Sequence, residues 1–197
     1  LHLHSEYSLL DGAIRLKDLP QRLKELGMSA CALTDHGSMY GMVDFFQIME
    51  REGLKPIIGC ELYVAPEGMY NKDGTAARRM NHLTLLCETN EGLKNLNNLV
   101  SEANVHGYYY KPRVDHTLLE RHSEGLIALS GCLSGEIPTA IQSGNLSLAK
   151  DLIKNYQKIF GEDHFFLEIQ SNGIPEQQEV NIALKRLSEE TGAPLVA

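Results

Sequence analysis

Tryptophan is absent, and cysteine and proline are scarce, with four Cys and seven Pro in 197 residues. Cys31, Cys60, Cys87 and Cys132 form no C-x-x-C pair, which removes a zinc ribbon and any disulfide framework and makes a reducing, cytoplasmic setting the expectation. Positive charge is short too. With 18 Lys+Arg against 26 Asp+Glu the formal charge is −8, so bulk charge supplies neither a nucleic-acid footprint nor attraction to a membrane surface. Any phosphate binding must be local. No apolar run approaches the roughly 20 residues of a membrane span. The start at Leu1, with no Met and no basic leader, reads as an excerpt of a longer chain.

What is present is an alternation of short β-rich runs with longer helical patterns. Residues 30–34, 56–59, 83–87, 126–129, 165–169 and 194–197 read as buried strands. Helices are expected over 16–26, around 93–100, and over 147–160 and 175–190, where apolar residues recur at helical spacing. Strand then helix, repeated with almost no hairpin signals, predicts parallel strands joined by crossover helices, as an α/β barrel or a doubly wound sheet. Residues 66–79 are polar and Gly-containing and are expected to be a mobile surface loop. Asn145-Leu146-Ser147 reads as the first turn of a helix, not a glycan site.

His2 and His4, two apart in an extended apolar setting, would project from one face and could grip one ion. An H-x-H pair alone is more often structural. Position strengthens it: Asp11, His36, Glu61 and Cys132 each follow a β-rich run, where α/β barrels assemble their sites. A carboxylate such as Glu61 can bridge two cations, while imidazoles and a thiolate supply terminal positions with a preference for zinc or similar metals. Asp35 reads as a helix cap or as the partner that holds His36 in one tautomer. His82 fits less well, because it precedes its strand instead of following it.

Closely spaced divalent ions can hold a phosphate ester and lower the pKa of water to about 7, which describes metal-assisted phosphoester hydrolysis. Such a cluster carries about +4 to +6 and would draw an anionic substrate to an acidic protein. Lys111 and Arg113, after Tyr108-Tyr109-Tyr110, suit phosphate gripping and base stacking; a solvated basic turn beside packed aromatics is an equal alternative. Cys132 has no flanking His or oxyanion hole, so it reads as a ligand or a buried thiol before a nucleophile. Cys31, Cys87 and Cys60 read as core, and His106, His116, His122 and His164 as surface residues.

His2-x-His4 with Asp11-Gly12, Thr34-Asp35-His36-Gly37, Gly59-Cys60-Glu61, Asn81-His82-Leu83 and Ser130-Gly131-Cys132 closely resemble the PHP (polymerase and histidinol phosphatase) domain. His4-Ser5-Glu6-Tyr7-Ser8-Leu9-Leu10-Asp11-Gly12, Tyr110-Lys111-Pro112-Arg113-Val114-Asp115 and the run from Gly125 to Cys132 are similar to the version carried by bacterial replicative polymerases of the polymerase III class. The resemblance covers residues 1–197 as one domain. It implies a distorted (β/α)7 barrel whose metal cluster, of up to three divalent ions, lies at the strand C-terminal ends. Carried over by position, His2, His4 and Glu61 would hold a first ion; Glu61, His82 and Cys132 a second; Asp11 and His36 a third. A further Asp and His of the family would follow the strand that ends at Ala197.

Every family ligand position within the chain holds a metal-competent residue. The resemblance therefore implies a 3′→5′ proofreading exonuclease using zinc, with manganese or iron as alternatives. Glu61, His36 and Asp11 would be catalytic, and Lys111 and Arg113 would hold the strand. Nucleotide addition with magnesium would belong to other domains of the same chain. Implied partners are a DNA primer terminus, those domains, and the sliding clamp and proofreading subunit of a replicase. A structural scaffold with an inert metal site is the main alternative, and a free-standing histidinol-phosphate-type phosphatase a weaker one.

Overall fold

The structure is a computed structural model that describes residues 1–197, the side chain of Ala76 excepted. Strands β1 (Ala30–Leu33), β2 (Lys55–Val64), β3 (Asn81–Cys87), β4 (Arg113–Val114), β5 (Leu126–Leu129), β6 (Phe165–Glu168) and β7 (Leu195–Val196) form one curled sheet in the order β1-β2-β3-β5-β6-β7, with β4 beside β2. Helices α1 (Leu19–Glu25), α2 (Met42–Arg51), α3 (Asn90–Val105), α4 (His116–Arg121), α5 (Glu136–Gln142), α6 (Leu146–Phe160) and α7 (Pro175–Thr191) connect them. Among the described residues β1 and β7 share no ladder, so the sheet is an open half-barrel.

The strictly parallel arrangement expected from the connections is corrected at one place. β3 runs antiparallel to both β2 and β5, while β1–β2, β2–β4, β5–β6 and β6–β7 are parallel. The reversal explains His82. An antiparallel strand begins at the edge of the sheet where its parallel neighbours end, so the second residue of β3 reaches the same rim as the last residues of β1 and β6. No hairpin signal marked the turn because residues 65–80 intervene between β2 and β3. Helices α2, α4 and α5 and the short β4 were not expected from the chain pattern. α4 and α5 are six and seven residues long, too short to show several helical periods.

Most apolar side chains lie between the sheet and its helices, in a core that includes Leu62, Leu83, Leu85, Leu96, Leu99, Phe165 and Leu184. A second cluster seats α1 and α2 through Leu19, Leu23, Phe45 and Met49. On the sheet's inner side Ala32, Leu86 and Leu129 pack with Ile57, Ile127, Phe166 and Val196, beside a cavity of about 1040 Å³. Along β2 the side chains alternate, so Ile57, Gly59, Glu61 and Tyr63 share that inner side, apolar at one end and polar at the other. Caps agree with the chain chemistry: Thr89, Asp115 and Asn145 accept the first-turn amides of Gly92, Leu118 and Leu148. Asn145 thus opens α6.

The segment over 66–79 runs over the surface, as expected, and is tied down at points along it. Met69 and Ala77 are buried, and the carbonyls of Met69, Asn71 and Ala77 all accept from the Arg113 guanidinium.

Candidate metal centre

Residues 2–4 lie extended along β1. The Thr34 amide donates to the Leu3 carbonyl at 2.9 Å, and the Leu3 amide donates to Thr34 Oγ1 at 2.8 Å. This pins Leu3 and turns His2 and His4 to one side, with their ring centroids 5.0 Å apart. His36 follows β1, and its ring stacks on His4 at 4.0 Å. Gly37 turns the chain at φ +59°, and a Cβ there would meet Pro112 Cγ at 2.9 Å and Tyr63 Cε2 at 3.1 Å, so only glycine lets those side chains close the wall. In the β2–β3 ladder Glu61 faces Thr84 and Tyr63 faces His82, whose rings stand 5.3 Å apart.

Glu61 is the hub. Its carboxylate lies 3.0 Å from His2 Nε2, 2.5 Å from His36 Nδ1, 3.1 Å from His82 Nδ1 and 3.7 Å from His4 Nε2, while only 1% of the side chain is exposed. Two subsets bring one donor atom each within 4.8 Å of one another: His2, His4 and Glu61; and His36, Glu61 and His82. Cys132 Sγ sits 3.5 Å from His82 Nδ1 and 3.9 Å from Glu61 Oε1, at the margin of the second subset. Asp11, half exposed on its loop, reaches His36 Nε2 at 2.9 Å. All seven residues expected as ligands are therefore brought to one rim. The second subset contains His36 where the expected grouping has Cys132.

Satisfaction of these atoms tests whether they suit a metal. His2 Nε2, His4 Nδ1, His36 Nδ1 and Glu61 Oε2 are buried and, among the described residues, make no hydrogen bond of acceptable geometry. Polar atoms that are close together yet misaligned for one another point at shared space. A divalent cation with N and O ligands would satisfy them, so the donor set fits. Burial opposes charge on His2, but Glu168 and Glu61 outweigh it and push its pKa up to about 10. Burial likewise opposes charge on His82, where Cys132 and Glu61 prevail and push its pKa up to about 9. Burial would raise the Glu61 pKa, yet the three imidazoles hold it well below the usual carboxylate range. Burial also resists ionisation of Cys132, but the His82 hydrogen bond lowers its pKa overall.

Three assignments from the chain change. Arg113 is fully buried: it donates to the carbonyls of Gly107, Ala77, Met69 and Asn71 and has no surface for a phosphate. Asp35 neither caps a helix nor holds the His36 ring. It accepts from the Ser5 amide and from the hydroxyls of Ser5 and Ser8, and so shapes the loop that carries Asp11. His116 is half-buried and not freely exposed: its Nε2 lies 2.7 Å from Glu136, which also accepts from the buried Tyr156 hydroxyl. Lys111, by contrast, places Nζ 5.4 Å from the Tyr63 ring centroid, on the wall beside the centre.

Glu168 was missed. It ends β6 with its side chain 5% exposed, and its Oε1 accepts from His2 Nδ1 at 2.7 Å and from Gln170 Nε2 at 2.7 Å. A carboxylate accepts only, so His2 Nδ1 carries a proton, and Nε2, turned to Glu61, is the atom that a metal ion would have to free of its proton. The available signal was a lone acid in the apolar run Phe165-Phe166-Leu167-Glu168-Ile169, since buried acids are rare unless paired.

The PHP domain family model matches residues 1–172. DNA polymerase III subunit alpha of Treponema pallidum is 46% identical over 197 residues, covering 100% of this chain and 17% of the relative. The same-named protein of Thermus aquaticus is 44% identical over 205 residues, covering 100% of this chain and 16% of the relative. The chain thus spans about one sixth of the length of these curated relatives. Among solved structures, a Bifidobacterium adolescentis protein provisionally described as a metal-dependent phosphoesterase matches at a TM-score of 0.59 and 12% identity, over 98% of this chain and 84% of that one. A Chromobacterium violaceum amidohydrolase with bound sulfate matches at a TM-score of 0.54 and 14% identity, with the same coverage. At such identities these two speak for the fold.

Proposed function

The chain belongs to the PHP-domain family, and from that premise and the donor set around Glu61 we propose that it is the metal-dependent phosphoesterase domain of a bacterial replicative DNA polymerase alpha subunit, releasing nucleotides 3′→5′ from a primer terminus. The observation that carries the reading is the convergence of buried, otherwise unsatisfied atoms of His2, His4, His36 and Glu61 on one rim. A purely structural polar cluster would be expected to satisfy its own members.

Divalent ions bound there supply charge to hold a phosphodiester and to lower the pKa of water. Imidazole and thiolate donors favour zinc, with manganese or iron as the alternatives. His2, His4 and Glu61 would hold one ion and Glu61 with His36, His82 and Cys132 a second, while a third ion on Asp11 would have to take His36 from the second. Glu61 keeps its negative charge among the imidazoles and so spans both donor subsets. Glu168 fixes His2 with Nε2 inward. Tyr63 closes one wall, and Lys111 above it meets the strand's phosphates, while Arg113 is engaged elsewhere. Partners in this reading are the primer terminus, the remaining domains of the same chain, and the sliding clamp and proofreading subunit of a replicase in the cytoplasm. Nucleotide addition with magnesium belongs to those other domains. No helix among the described residues is long and apolar enough to cross a membrane.

The test is release of the 3′ nucleotide from a mispaired primer by the full-length parent chain and its His36→Ala variant, under defined zinc or manganese. Loss of release with polymerisation intact is expected. A filled metal site with no release by either protein would make the ions structural and the domain a scaffold.

A further inference from the structure

We propose that Tyr110, held between Arg78 and Tyr109 next to Lys111, is a stacking platform for the terminal base of the strand that enters the centre. The inference rests on the phosphodiesterase reading above and adds to it the residue that receives the base.

Tyr110 has φ +63°, and among the described residues every other positive φ belongs to glycine. A side chain in this region carries a steric cost that Gly would avoid. The turn is tight, with the Tyr109 amide donating to the Lys111 carbonyl at 3.0 Å. At its tip the Tyr110 ring is 58% exposed, with Tyr108 beside it at 55%. Strain together with an aromatic surface left largely in water is more than the local contacts of the ring require; a ring offered to a ligand accounts for it.

The platform is built up from the interior. Arg113, locked by four backbone carbonyls, lies 5.1 Å from the Tyr109 ring centroid. Tyr109 meets Tyr110 edge to face at 4.7 Å, and the Arg78 guanidinium covers part of Tyr110 at 5.1 Å. The buried arginine therefore serves the surface indirectly, by fixing what stands on it. The platform also abuts the centre: Lys111 follows Tyr110 and sits over Tyr63, whose ring is 5.3 Å from His82 and 6.0 Å from His36. Among the described residues the Lys and Arg ion pairs join other side chains, so Arg78 and Lys111 keep their charge for phosphate on a protein of formal charge −8. A base inside a duplex is covered on both sides by its neighbours, whereas a terminal or unpaired base has a face to give Tyr110, a contact open to any base identity.

Two measurements on the full-length parent chain test this. A single-stranded oligonucleotide carrying 5-iodouracil at its 3′ end is photocrosslinked and the adduct mapped, and its hydrolysis is compared with that of bis(p-nitrophenyl) phosphate, which offers the site a diester without a base. Crosslinks are expected on Tyr110 or Tyr108. Tyr110→Ala and the strain-relieving Tyr110→Gly are expected to raise KM for the oligonucleotide about 5- to 100-fold, with hydrolysis of the small diester unchanged and Tyr110→Phe near wild type. Crosslinks confined to other segments, or equal losses on both substrates, would overturn the platform. Crosslinking at Tyr110 without hydrolysis of either substrate would support the platform and overturn the phosphodiesterase reading instead.

Discussion

Glu61 and Arg113 are both charged side chains removed from water, 1% and 0% exposed, and they stand near one another: Tyr63, two residues after Glu61, pairs with Arg113 in the β2–β4 ladder. Their surroundings are opposite. Arg113 spends its N–H groups on four carbonyls, with donor distances of 2.7–3.0 Å. Glu61 is ringed by imidazoles at short distances, and several of those atoms have no aligned partner. A buried charge with every partner in place belongs to the scaffold. One whose neighbours are left with unpartnered polar atoms is arranged for something that arrives from outside.

The largest effect that would sharpen this contrast is at the hub. Glu61→Gln should abolish zinc retention by elemental analysis and, with it, nucleotide release. A ligand present at a thousand times its Kd stabilises by about 4 kcal/mol. Chelation should therefore lower the denaturant midpoint of the wild type and leave that of Glu61→Gln in place. If chelation moves both equally, Glu61 is only a structural acid.

Next is Arg113→Met, which strands buried carbonyls at roughly 1–3 kcal/mol for each that finds no new partner. Unfolding in urea should show a loss of about 3 kcal/mol or more, with metal content unchanged in the folded fraction. Loss of metal at unimpaired stability would break the comparison. A smaller effect is expected for Glu168→Gln, which keeps the shape but removes the charge that fixes the His2 tautomer. Titration of the metal-free protein with zinc should show affinity weakened by about 10- to 100-fold, with the urea midpoint of the chelated protein little changed.

The smallest effect concerns a third, partly buried cluster, in which half-buried His116 meets buried Glu136 and Tyr156. Burial opposes charge on His116, but the Glu136 hydrogen bond and its negative charge outweigh it and raise the His116 pKa. A folded pKa above the unfolded value of about 6.5 means that the contribution is complete below that pH and fades as pH rises through the raised value. The difference in urea midpoint between wild type and His116→Gln should therefore shrink from pH 6 towards alkaline pH. A difference that grows with pH would mean that His116 is held neutral.

Much of the centre was legible in the chain. His2 and His4 alternate, His36 follows its strand, and Glu61 lies on a run whose period of two sends it inward. His82 looked misplaced because the direction of β3 depends on a pairing between segments separated by residues 65–80. Arg113 looked available because a cation between Pro and Val carries no mark of the four carbonyls that surround it. Glu168 was passed over because its partner, His2, is 166 positions away.

Periodicity and residue chemistry are local properties, and they were enough for the α/β class, most of the strands, the long helices and the set of side chains able to bind metal. The reversal of β3, the sharing of Glu61 by both donor subsets and the burial of Arg113 beside an exposed Tyr110 came from long-range pairing. Those outcomes depend on which distant backbone groups come within hydrogen-bond reach, and no stretch of neighbouring residues contains that information.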